Sequence, residues 1–184
     1  MWQMQDSGTT AGLRGIDSVD GNVAWASGTG GTVLRTVDGG QHWTRCATPD
    51  ADKDGGTLDF RGVQAWDAQT AIVMASGPGD KSRLYKTEDG CKTWKLLLKN
   101  TNPDGFFDAV IFWDRDHGFI LGDPVMYIPY WQETEGNPPK SITARLVIRK
   151  LQHKRFLTLA TTDGGATWGY WGTDRSYFTE DAAT

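Results

Sequence analysis

The residues best able to do chemistry in this chain recur at one spacing. Asp38, Asp89 and Asp163 lie in three related stretches: Thr36-Val37-Asp38-Gly39-Gly40-Gln41-His42-Trp43, Thr87-Glu88-Asp89-Gly90-Cys91-Lys92-Thr93-Trp94, and Thr161-Thr162-Asp163-Gly164-Gly165-Ala166-Thr167-Trp168. Catalysis asks for a carboxylate with one defined role at the reacting bond, and three equivalent copies do not supply that. A turn does use such a group repeatedly, because an ionised Asp is acceptor-only and takes backbone N–H groups at short range. Gly39, Gly90 and Gly164 supply the positive φ of a tight turn. Thr36, Thr87 and Thr162 add a hydroxyl, and Trp43, Trp94 and Trp168 each offer a ring to bury against the next strand. The three stretches are expected to be turn staples, with no catalytic role.

Two other groups carry charge in a pattern. Arg14 and Arg61 stand 47 residues apart in matching segments, and Asp108 takes the same place after a further 47. Lining a channel, these three could hold an anionic group. The competing reading is a charged rim closed by Asp17 or Asp59. Further on, Lys140, Arg145, Arg149, Lys150, Lys154 and Arg155 follow Glu135 with no acidic residue before Asp163. Beside Tyr127, Tyr130 and Trp131 they could dock an acidic partner. As a solvated hairpin the same charges would keep an exposed strand edge from aggregating. Asp123, Glu133 and Glu135 form no pair that spacing selects. His42, His117 and His153 fall at no ligand spacing and there is no Cys-x-x-Cys, so no metal is expected. Gly28-Thr29-Gly30-Gly31 lacks the Lys-Ser/Thr of a phosphate loop and reads as a hairpin turn. Nothing calls for a cofactor. Cys46 and Cys91 are too few for a disulfide framework. Two unpaired thiols is the simpler reading, with pairing left open for an exported chain.

The elements that position these residues follow from the composition and the repeat. A chain of 184 residues with 23 Gly, 9 Trp and short apolar runs reads as all-β, and its net charge of −4 excludes the basic signature of a nucleic-acid binder. No apolar run approaches the ~18 residues of a membrane span. Met1 to Gly8 carries neither a basic nor an apolar stretch, so no signal peptide is expected there. Leu13-Arg14-Gly15-Ile16, Phe60-Arg61-Gly62-Val63 and Phe107-Asp108-Ala109-Val110 open three units. Each continues with a polar turn at Asp20, Asp67 or Asp114, an apolar run, a short strand into the box and a last strand after its Trp. Four short strands with a period in the forties are one β-propeller blade. We expect blades over about 10–47, 57–99 and 105–171, a hairpin insertion over about 126–155 in the third, and a tail over 172–184. Three blades leave a ring open, so the chain is expected to be part of a longer propeller, or else to close by self-association.

Thr-x-Asp-Gly-Gly-x-x-Trp resembles the Asp-box, or bacterial neuraminidase repeat. The opening Ser7-Gly8-Thr9-Thr10, the Trp25-Ala26-Ser27-Gly28 strand end and the Gly122-Asp123-Pro124-Val125 turn are similar to bacterial relatives of the photosystem II stability and assembly factor. That resemblance implies a seven-bladed, exported or periplasmic propeller that binds a protein partner without catalysis. The alternative is a sialidase-like glycoside hydrolase, acting on carbohydrate, whose catalytic residues lie largely outside this chain. That family's Arg-Ile-Pro signature is absent here.

Overall fold

The computed structural model describes residues 4–103, 105–123 and 157–170. Among them, twelve strands form three four-stranded antiparallel sheets, and helix is confined to two short 3-10 turns. The first sheet holds β1 (Leu13–Ser18), β2 (Ala24–Gly28), β3 (Thr32–Thr36) and β4 (Thr44–Arg45). The second holds β5 (Phe60–Ala65), β6 (Ala71–Ala75), β7 (Arg83–Thr87) and β8 (Lys95–Lys99). The third holds β9 (Phe107–Phe112), β10 (Gly118–Gly122), β11 (Leu157–Thr161) and β12 (Gly169–Tyr170). Each sheet runs in chain order, and β5 packs on β1 and β2 as β9 packs on β5 and β6. This is the stacking of successive blades in a partial β-propeller.

Burial explains why the strands read as continuous apolar runs. Ala71-Ile72-Val73-Met74-Ala75 is buried along its whole length because the second sheet is covered on both faces. Alternate side chains go to opposite neighbours. Val73 and Tyr85 join Trp25, Val33, Leu58 and Phe60 between the first two sheets. Ile72, Met74 and Leu84 join Phe107, Phe112, Ile120 and Trp168 between the second and third. Glycines set the approach. A Cβ on Gly15 would lie 3.0 Å from the Arg61 carbonyl oxygen, and one on Gly62 would lie 2.9 Å from Val110 Cγ1. The third member of that series is Ala109, which is exposed.

One expectation is overturned. Cys46 and Cys91 are not free thiols but form a disulfide, with Cα atoms 5.3 Å apart. Their separation of 45 residues is close to the 47-residue repeat. They therefore fall on neighbouring sheets, where the strand after the first box meets the second box turn. Ala47 N–H donates to the Cys91 carbonyl at 3.2 Å, and Trp94 Nε1–H donates to the Ala47 carbonyl at 2.7 Å. Arg145, Arg149 and Lys150, the hairpin of 126–155 and the tail of 172–184 lie outside the described residues. Within them, β11 pairs directly with β10, from Gly118 opposite Thr161 to Gly122 opposite Leu157.

Candidate functional site

The box turns repeat one geometry. Asp38 Oδ1 accepts from Thr36 Oγ1 at 2.8 Å and from His42 N–H at 2.9 Å, while Oδ2 meets His42 Nδ1 at 2.7 Å. Asp89 accepts from Thr87 Oγ1 at 2.9 Å, from Thr93 N–H at 3.0 Å and from Thr93 Oγ1 at 2.6 Å. Asp163 accepts from Thr161 Oγ1 at 2.8 Å, from Thr167 N–H at 2.8 Å and from Thr167 Oγ1 at 2.6 Å. Thr161, not Thr162, therefore holds the third turn. The residue two before the Asp ends the incoming strand with its hydroxyl turned inward, whereas Thr162 is exposed. Gly39, Gly90 and Gly164 have φ between +67° and +72°. Cys91 takes the second glycine's place at φ +66°. The three tryptophans each stand just before the outermost strand of their sheet but differ in burial: Trp168 is buried, while Trp43 and Trp94 are half-buried.

These donors fix the charge state. The His42 backbone N–H, then its ring, then the Thr36 hydroxyl hold the Asp38 carboxyl down to about 2. The Thr93 hydroxyl, then the Thr93 N–H, do the same to Asp89, also to about 2. A general acid needs the reverse shift. A second aspartate series, read from sequence only as polar turns, works the same way. Asp20 accepts from Asn22 and Val23 N–H, Asp67 from Gln69 and Thr70 N–H, and Asp114 from Asp116 and His117 N–H, each bond 2.7 or 2.8 Å. Its threefold recurrence at 47-residue steps was the signal for it. Among the described residues Tyr85 O–H donates to a carboxylate, Asp50, at 2.7 Å. Tyr85 is 1% exposed between the sheets, however, and Arg83 is locked beside it by two 2.7 Å bonds to Asp54, so no substrate reaches it.

Arg14, Arg61 and Asp108 share one placement in their strands. The β1–β2 register steps from Leu13 opposite Gly28 to Gly15 opposite Ser27, skipping Arg14. The β5–β6 register skips Arg61, and the β9–β10 register skips Asp108. All three sit on β-bulges, which take a residue out of the ladder and re-aim its side chain. The strands that carry them, β1, β5 and β9, pack sheet to sheet, together with β2 and β6. Asp59 joins the two arginines: Arg14 Nε donates to Asp59 Oδ1 at 3.2 Å and Arg61 Nε to Oδ2 at 2.9 Å. Among the described residues neither arginine makes a hydrogen bond through its Nη groups, and both side chains are nearly half exposed. Arg61 also lies over the Phe106 ring, 5.4 Å from its centroid. Burial, then the nearby Asp123, push the Asp108 carboxyl up, against the pull of Arg61. The rim reading and the anion reading thus meet in one cluster. Asp59 ties the two arginines together through their Nε atoms. Asp17 instead accepts the Ala65 N–H at 2.7 Å.

No family model and no curated protein matches this chain. Its fold matches solved structures. One is YCF48 bound to a D1 peptide, at TM-score 0.56 and 16% identity, covering 88% of this chain and 41% of that one. Another is YCF48 from Cyanidioschyzon merolae, at TM-score 0.51 and 20% identity, covering 88% of this chain and 37% of that one. A Niastella koreensis GH74 enzyme matches at TM-score 0.43 and 14% identity, over 85% of this chain and 29% of the enzyme. At these identities the likeness is one of fold, and this chain spans about two fifths of the YCF48 structures it resembles.

Proposed function

We propose that this protein is a non-catalytic propeller scaffold that binds an acidic segment of a protein partner at Arg14 and Arg61. The observation that carries the reading is the shared Asp59. It holds two bulge arginines side by side through their Nε atoms and leaves their Nη groups to donate outward. Paired guanidinium groups recognise carboxylates by parallel N–H···O bonds. Asp108 would set the far edge of the site and repel a badly placed acid. The basic run with Arg145, Arg149 and Lys150 adds long-range attraction for the same partner. YCF48 has been solved with a peptide bound, which supports peptide binding as a use of this fold. The seven-bladed parent and an exported location belong to the same reading.

The test is fluorescence anisotropy with a labelled Asp/Glu-rich peptide and a Lys-rich control of equal length. The acidic peptide should bind, with affinity falling as salt rises. The double variant R14A/R61A should lose at least about tenfold, since each charge-assisted bond is worth ~1.5–3 kcal/mol. Equal binding by the double variant, with an unchanged melting temperature, would overturn the assignment.

A further inference from the structure

We infer that Phe106 is the positioning residue of the arginine site, its ring holding the Arg61 guanidinium in place without cancelling its charge. This rests on the carboxylate-binding role of Arg14 and Arg61 proposed above and adds to it a residue outside the charged set. Gly12, Asp59 and Phe106 stand two residues before Arg14, Arg61 and Asp108. They are equivalent in space as well as in sequence. Their carbonyls accept the N–H groups of Thr29, Ser76 and Asp123 at 3.0, 2.9 and 3.0 Å, and those donors are themselves 47 residues apart. From this one position, the second and third sheets each hold the arginine of the sheet before. Arg14 reaches 45 residues forward to the Asp59 carboxylate. Arg61 reaches the same distance along the chain to the Phe106 ring.

Phe106 is half-buried, yet among the described residues it joins neither apolar cluster between the sheets. Its ring lies against Arg61 instead, with Cζ 5.4 Å from the ring centroid, inside the ~6 Å of a cation–π contact. A phenyl ring where the preceding sheet has a carboxylate changes the chemistry in two ways. The ring engages the face of the guanidinium and takes none of its N–H donors. It also brings no charge. Arg14 and Arg61 share the single carboxylate of Asp59, and among the described residues Asp108 makes no ion pair with either. Two guanidinium groups and one carboxylate leave one positive charge, which draws in an anion. A second aspartate in place of Phe106 would bring that charge to zero. It would also compete for the donors that parallel recognition of a ligand carboxylate uses. The Nε bond to Asp59 restrains Arg61 at one edge and the ring restrains it at one face, so the guanidinium is set before the ligand arrives.

The test is anisotropy with the Asp/Glu-rich peptide on the full chain, carried through F106L, F106W, F106D and R61A/F106L. F106L keeps an apolar side chain but removes the ring, and should weaken binding about fivefold. F106W supplies the stronger cation–π partner and should bind within about twofold of wild type. F106D should lose more than F106L, because it adds a charge as well as removing the ring. F106L should cost nothing further once R61A is present, because Phe106 acts through Arg61. Melting temperatures of F106L and F106W should stay near wild type, since the ring lies outside both clusters. A second readout needs no peptide: in side-chain NMR of the free protein, ring current should shift the Arg61 Hδ and Hε protons upfield of those of Arg14, and F106L should remove that shift. Loss of binding in R14A/R61A with none in F106L, an equal loss in F106L and F106W, or an F106L loss that persists beside R61A would each overturn this inference and leave the arginine site standing. An absent ring-current shift would do the same. Binding undiminished in R14A/R61A would overturn the site and the role of Phe106 with it.

Discussion

Removing the disulfide tests how far the first two sheets depend on each other. Cys46 and Cys91 close a loop of 45 residues, and the chain-entropy relation gives about 4 kcal/mol for a ring of that size. For a protein of this length each kcal/mol moves Tm by roughly 2–4 °C, so C46S/C91S should melt some 8–16 °C below the oxidised wild type. A second effect is superimposed. Position 91 is held at φ +66°, where the other boxes have Gly40 and Gly165. A left-handed backbone costs a non-glycine residue about 1–2 kcal/mol. C46S/C91G should therefore recover about 1 kcal/mol relative to C46S/C91S, although glycine is ordinarily the less stable choice. Urea unfolding of wild type, reduced wild type and both variants reads all of these differences. A double serine variant melting within 2 °C of wild type would refute the role of the bond. A glycine variant no more stable than the serine one would refute the turn argument.

Two further outcomes follow from the turns. T161A should cost about 1–2 kcal/mol in urea unfolding, because its buried hydroxyl serves both Asp163 and the Gly165 N–H. T162A, at an exposed position, should change stability by less than about 0.5 kcal/mol. Asp38 and Asp89 have folded values of about 2 against an ordinary 3.8, so each carboxylate favours the folded state while ionised. Their contribution is complete above pH 4 and is lost as pH falls towards 2. The urea midpoint should drop over that window, and D38N/D89N should lower it at neutral pH while flattening the drop.

The blade frame was legible because the repeat kept a step of 47 residues through the innermost two strands of all three units. Arg14, Arg61 and Asp108 could be set in equivalent places from that step alone. Their position on bulges could not, since a bulge is a matter of pairing register rather than residue type. Asp59 appeared only as one of two candidate partners, and geometry gave it both arginines. The third box's threonine was misplaced by one residue, although the two-residue step from Thr36 to Asp38 and from Thr87 to Asp89 selects Thr161 over the adjacent Thr162. Pairing of Cys46 with Cys91 stayed open because two cysteines give no pairing signal by count, although their separation of 45 residues nearly matches the repeat. The half-burial of Trp43 and Trp94 beside a buried Trp168 is set by tertiary packing, which the shared local pattern does not encode.

The central claim is that binding lies at the bulges of the innermost strands and that the boxes only hold turns. Hydrogen–deuterium exchange with and without the acidic peptide measures this directly. The account predicts added protection around residues 12–16, 59–63 and 106–109, and none in the box turns at 36–43, 87–94 and 161–168. Protection concentrated in the box turns, with the bulges unchanged, would contradict it.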